Sequence, residues 1–221
     1  MPMAKMIPLL WNGIKDTMYM TMTSTLFAYL IGLPLAILLV LTSPKGLRPR
    51  PILYRVLDIV VNVFRSVPFI ILMILVIPIT RAIAGKAYGS TATVVPLVIA
   101  AAPYVARMIE SSLLEVNPGV IEAAQSMGSS TWQIIYKVII PEARASLLVG
   151  ATISIGTILG YSAMSGAVGG GGLGQIAIQY GYQRYQTDIL IVTVILLIIL
   201  MQIFQLLGMW ISRKLDKRIR E

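Results

Sequence analysis

The sequence predicts an all-α membrane protein: five transmembrane helices and one polar, helical loop on the cytoplasmic side, in a single domain over residues 1–221. Three observations carry this. Hydrophobic residues make up 57% of the 221 and charged residues only 12%, and the mean hydropathy is +0.84, too apolar for a soluble domain of this length. Several stretches reach the ~20 apolar residues that a helix needs to cross a hydrocarbon core at about 1.5 Å per residue. The basic residues lie between and after those stretches, where topology explains them.

The spans follow in order. Residues 17–44 carry no charge and supply a first span over about 18–41. A second, over 59–80, is interrupted by Arg65 and Pro68, so its apolar part starts near Val67 with Arg65 at the entrance. Residues 87–106 form a third clear run. The uncharged stretch 145–183 contains a glycine cluster, and its first part gives a fourth span over 145–163. Residues 189–212 are the fifth. The first apolar run is span-length and lacks a convincing small-residue cleavage site, which argues against a cleavable signal peptide.

Five spans put the two termini on opposite sides. Thirteen of the eighteen basic residues, from Lys45 through Arg107 and Lys137 to Arg220, fall in one set of segments, and five (Lys5, Lys15, Arg81, Lys86 and Arg184) fall in the other. The positive-inside rule places the larger set in the cytoplasm. The N-terminus is then outside, and the loop 107–144 and the basic tail are inside. The tail, with Lys217, Arg218 and Arg220, reads as an anchor near anionic lipid. The net charge of +9 is thereby a matter of topology, and nucleic acid is not an expected partner. With no cysteine and no histidine, a disulfide scaffold, a thiolate zinc site and a histidine general base are excluded.

The loop carries local signals of its own. Asn117 is a good N-cap, Pro118 fits the first helical position and Gly128 fits the left-handed residue that ends a helix. Ser130 followed by Gln133 is a capping-box pattern that starts a second helix. Trp132, Ile135, Val138 and Ile139 recur at helical spacing as an apolar stripe, which needs something to bury against: the protein's own spans or a partner. Pro141 precedes the next span, where a missing amide donor costs little.

The residues Glu122, Ala123, Ala124 and Gly128, followed nine positions on by Val138-Ile139-Ile140-Pro141, resemble the EAA signature of ABC-importer permeases of type I. Val138 and Ile140 replace the more usual isoleucine and leucine. The segments "FRSVPFIILM", "AAPYVARMIESSLLEV" and "GYSAMSGAVGGGGLGQIAIQYGY" narrow the resemblance to bacterial methionine-uptake permeases. The resemblance implies a cytoplasmic-membrane protein that pairs with a second copy of itself, two cytoplasmic ATPase subunits and an extracytoplasmic binding protein. It also implies that the loop is a coupling helix seated in a groove of the ATPase, carried here by Glu122, Ala123, Ala124, Gly128, Ser129, Ser130, Trp132 and Pro141. ATP binding closes the ATPase dimer and opens the outer gate, and hydrolysis resets the inward-facing state. The permease then makes no covalent bond and needs no cofactor or metal.

Gly169, Gly171 and Gly174 satisfy G-x-G-x-x-G, but a transmembrane helix precedes them and the first acid afterwards is Asp188, which does not fit a dinucleotide fingerprint. No Gly-Lys-Ser/Thr sequence occurs. The glycines read instead as a tight turn or a close approach of helices. Just before them, Tyr161, Ser162, Met164 and Ser165 read either as ordinary helix packing or as the lining of a translocation path, a polarizable thioether beside hydroxyls without fixed charge. Arg65 reads either as an interfacial arginine snorkelling to headgroups or as a contact to the loop or a partner. Glu110, Glu115 and Glu122 are expected to make solvated, weak pairs with cytoplasmic arginines. A membrane enzyme would need convergent ionisable groups at membrane depth, and a channel a repeated polar ring; neither pattern is visible.

Overall fold

A computed structural model describes residues 3–215, and these are helical with no strand among them. The first helix, α1, runs Met3–Thr42. It starts well before the expected span and runs on through Pro8. Gly13, a weak helix former, is held against Leu173 and Ile176, and Lys15 lies over the Trp11 ring at 5.4 Å.

The expected span over 59–80 is not one helix. The amphipathic α2 (Pro51–Ser66) starts with proline at its first turn. It ends because Val67, which precedes Pro68, is extended at φ −80°, ψ 125°, as a residue before proline prefers. The next helix, α3 (Phe69–Leu75), departs at 102° from α2. A short α4 (Ile77–Ala84) follows and ends on the left-handed Gly85.

Helix α5 (Ser90–Leu114) packs along α1 through small residues. A methyl group at Gly32 would stand 2.9 Å from Val105 and 3.0 Å from the Ala102 carbonyl, so glycine there sets how closely the two helices approach. The loop that follows holds α6 (Pro118–Ser126), α7 (Thr131–Ile134), a π-helical turn (Ile135–Ile139) and α8 (Ile140–Glu142).

Helix α9 (Arg144–Ser165) leads into a 3₁₀ turn, the glycine cluster, α10 (Gly172–Ile176) and a π-helical segment (Ala177–Tyr182). The apolar helical run thus continues beyond the expected end at 163, to Tyr182, with a break in its middle. Helix α11 (Thr187–Leu215) closes the fold, with Lys214 over the Trp210 ring at 3.7 Å. Lys217, Arg218 and Arg220 lie outside the described residues. Among the described residues, four helical runs are long and apolar enough to cross a membrane, and the bent α2–α3 pair makes up to five.

The glycine cluster is a tight turn and a close approach at once. Gly169 and Gly171 have φ of +79° and +96°, where glycine is favoured. A methyl at Gly166 or Gly174 would collide with the backbone of the facing segment. Thr17 of α1 accepts a hydrogen bond from the Leu173 N–H at 2.9 Å, and Thr93 of α5 donates to the Gly170 carbonyl at 3.0 Å. The cluster therefore ties α1, α5 and α9 together.

Candidate coupling surface and transport path

The loop 107–144 folds as its local signals predict. The Gly119 N–H donates to Asn117 Oδ1 at 2.8 Å, capping α6. At the other end the N–H groups of Met127, Gly128 and Ser129 return to the Ala123, Gln125 and Ala124 carbonyls, and Gly128 takes φ +76°. The next helix opens with a complete capping box. The Ser130 N–H donates to Gln133 Oε1 at 2.8 Å, and the Gln133 N–H donates to Ser130 Oγ at 3.4 Å. Arg48, from the segment after α1, donates through Nε to Thr131 Oγ1 at 3.2 Å. Beneath the loop a cavity of about 380 Å³ separates it from the end of α1, lined among others by Val40, Leu47, Ile121, Glu122 and Gln125.

The apolar stripe differs from the expected one. Ile134, Ile135 and Ile139 are buried, with Val138 packed partly against the same core. Trp132 points the other way and is 68% exposed, as is Tyr136 at 74%. The π-helical turn over Ile135–Ile139 displaces the helical register that a constant 3.6-residue period assumes. Across the Gly128 turn Met127 is 78% exposed. Glu122, Ala123, Gly128, Ser130 and Pro141 are exposed too, Ser129 is half-buried, and Ala124 is buried in the core. The outer face of the loop is thus a capped turn presenting Met127, Trp132 and Tyr136, large apolar groups that no described residue covers.

Glu110 corrects an expectation. It is 2% exposed, not solvated, and accepts from Arg107 at 2.7 Å. Arg107 also forms an ion pair with Asp58 of α2 and donates to Asn62 Oδ1 at 3.2 Å. The sequence points to an arginine partner for Glu110 but not to its burial, nor to Asp58 and Asn62 as members of the cluster. Its signal was present: Asp58 and Asn62 are four apart on α2, and Arg107 and Glu110 three apart on α5, spacings that put each pair on one helix face.

The four residues before the glycine cluster divide. Ser162 and Ser165 are fully buried and return their hydroxyls to the Leu159 and Ser162 carbonyls at 2.8 and 2.6 Å. Ser165 faces Gly170. They are packing residues in this chain and line no open surface. Tyr161 is half-buried and stacks on Phe69, with ring centroids 4.7 Å apart and planes within 5°. Met164 is 50% exposed. Arg65 is exposed in the last turn of α2, beside Tyr161 and Tyr104 at a small cavity, and not at the loop.

An all-helical, multi-span fold that carries a capped two-helix loop between its third and fourth apolar runs defines the permease subunit of an ABC-type importer. The chain belongs to the family of binding-protein-dependent transport system inner membrane components, whose pattern matches residues 28–221. It is 48% identical over 210 residues to a probable D-methionine transport system permease protein MetI of Vibrio cholerae, covering 95% of this chain and 93% of that one. It is 46% identical over 162 residues to the D-methionine transport system permease protein MetI of Escherichia coli K12, covering 72% and 75%. A chain of the MetNI methionine ABC transporter, solved in inward-facing conformations, superimposes with a TM-score of 0.95 at 46% identity, over 96% of this chain and 99% of that chain. An amino acid ABC transporter solved with histidines shares the fold alone, at a TM-score of 0.80 and 24% identity.

Proposed function

We propose that two copies of this chain form the membrane pathway of a methionine importer, driven by two separate cytoplasmic ATPase subunits and fed by an extracytoplasmic binding protein. The N-terminus lies outside and the C-terminus inside, as the distribution of basic residues favours. Relatives alike over most of their length carry the D-methionine name, which supports methionine as the cargo. The observation that carries the coupling role is the exposed face of the loop. Met127, Trp132 and Tyr136 stand uncovered by any described residue around a turn capped on both sides. Monomeric surfaces rarely leave such groups clustered unless a partner covers them.

In this reading Glu122 to Pro141 seats on the ATPase. Closure of the ATPase dimer on ATP draws the two loops together. The motion passes from α6 into α5 and α9, which flank the loop, and tilts the two permease copies between inward and outward openings. Tyr161 and Met164 line the passage; Ser162 is bonded within α9, and Ser165 holds the α9 end against Gly170. The chain itself binds no nucleotide and forms no covalent intermediate. The test is reconstitution with its ATPase and binding protein in sealed vesicles. Labelled methionine accumulates only with ATP. If another solute accumulates and methionine does not, the substrate is wrong while the permease role stands.

A further inference from the structure

The α2–α3 break, the middle of α5 and the end of α9 enclose a cavity of about 90 Å³ lined by Arg65, Val67, Phe69, Ala100, Tyr104 and Tyr161. Its composition is unusual for its place. Arg65 counts with the cytoplasmic set by sequence, but the structure brings it to Ala100 and Tyr104 near the middle of α5, a candidate membrane span, where a cation is costly and marks a functional site by default. The Arg107 ion pairs do not include Arg65, which lies within electrostatic reach of the buried Glu110. Tyr104 accepts from Thr157 Oγ1 at 3.3 Å, which anchors the wall. The Phe69–Tyr161 stack forms a flat aromatic side, and Met164 lies exposed one turn further along α9.

The volume decides what fits. Liquid water takes ~30 Å³ per molecule, so the cavity holds a group of carboxylate size and not a whole amino acid. We propose that it binds the carboxylate of the transported methionine, with Arg65 as charge partner and the rest of the amino acid outside the cavity. An arginine fork matches a carboxylate in two parallel hydrogen bonds. The cation neutralises the charge that is most costly to carry across the bilayer. This site rests on the reading of the chain as a methionine permease and adds a point of recognition inside the membrane, beyond the binding protein.

The complex of permease and ATPase, in nanodiscs without binding protein, is probed by saturation-transfer NMR with methionine and with methioninamide, which lacks the carboxylate. The wild type gives a methionine signal and at least a threefold weaker one from the amide. Arg65→Gln removes the methionine signal, and Arg65→Lys, which keeps the charge but loses the fork, lowers ATP-driven uptake at least tenfold. A merely snorkelling arginine would tolerate lysine. Copurification of the ATPase with each variant shows that the complex still assembles. Absence of a methionine signal from the assembled wild type overturns the site, as does an unchanged signal from Arg65→Gln. A wild type that imports methionine beside an Arg65→Gln complex that imports it equally well sinks the site alone. A wild type that imports no methionine sinks the functional reading and the site with it.

Discussion

Arg107 on α5 forms an ion pair with Asp58 on α2, and the same guanidinium donates to the buried Glu110 at 2.7 Å. The cluster fastens the bent helix pair to the helix that runs into the coupling loop. Removing one partner of a buried pair leaves an uncompensated charge, at a cost of about 3–5 kcal/mol. Because Arg107 is partly exposed, Arg107→Ala is expected at the lower end, about 3 kcal/mol. The double variant Arg107→Met with Glu110→Leu should regain most of that loss. Thermal unfolding of the detergent-purified protein measures both; equal destabilisation by the two variants contradicts the pairing.

The turn at Gly128 is tested by residue type. Its φ of +76° is strained for most side chains, yet a methyl there would meet nothing within 4 Å. Gly128→Asn should therefore retain coupling, since asparagine tolerates the left-handed region. Gly128→Trp should insert normally and lose ATPase copurification, because the bulk projects outward from the exposed turn. Unchanged uptake by Gly128→Trp means that this turn is not the joint.

Trp132 and Tyr136 separate docking from stability. Both are exposed, so the double alanine variant should leave the melting temperature of the permease alone unchanged. It should weaken ATPase binding at least tenfold, about 1.4 kcal/mol, as expected for aromatic anchors at an interface. A fall in melting temperature with unchanged affinity would reverse the assignment.

The glycine cluster has a single-atom test. Thr17→Val keeps the shape of the side chain but removes the acceptor for the buried Leu173 N–H, at a cost of about 1–3 kcal/mol. Gly172→Ala should cost more. Its added methyl would meet Thr17 and Met20 side-chain atoms at 2.6 and 2.8 Å, on a backbone of φ +70°. Unfolding midpoints that rank the two in the opposite order would show that the hydroxyl, not the close approach, dominates.

Orientation is read by single cysteines in a chain that has none. Lys45→Cys and Ser129→Cys should resist an impermeant thiol reagent in intact cells, and Lys86→Cys should react. Gly46 is a poor site for this, because a Cβ there collides with the Val40 and Leu41 carbonyls. Reaction of Ser129→Cys from outside would overturn the orientation and the ATPase docking together.

Much of this was legible from the chain because it depends on near neighbours in sequence. The Asn117 cap, the Ser130–Gln133 capping box and the left-handed Gly128 all follow from side chains that reach their own backbone. The apolar runs of α1, α5, α9 and α11 follow from composition. Even the α2–α3 break had a local cause in Val67–Pro68, although its 102° angle is set by Phe69 packing on Tyr161 and Leu72 on the α5 side of the core.

Local pattern determined that this is a multi-span helical protein, where its polar loop lies, and how that loop turns. Tertiary structure alone decided that Ser162 is buried and Ser165 packs against Gly170, that Glu110 is buried beside its arginine partner with Asp58 nearby, that Trp132 faces out while Ile134 faces in, and that Arg65 meets Tyr104 and Tyr161 at one cavity. Capping and hydropathy act over a few residues and are written in sequence order. Burial and ion pairing are set by which helix faces meet, and those contacts join positions as far apart as Thr17 and Leu173.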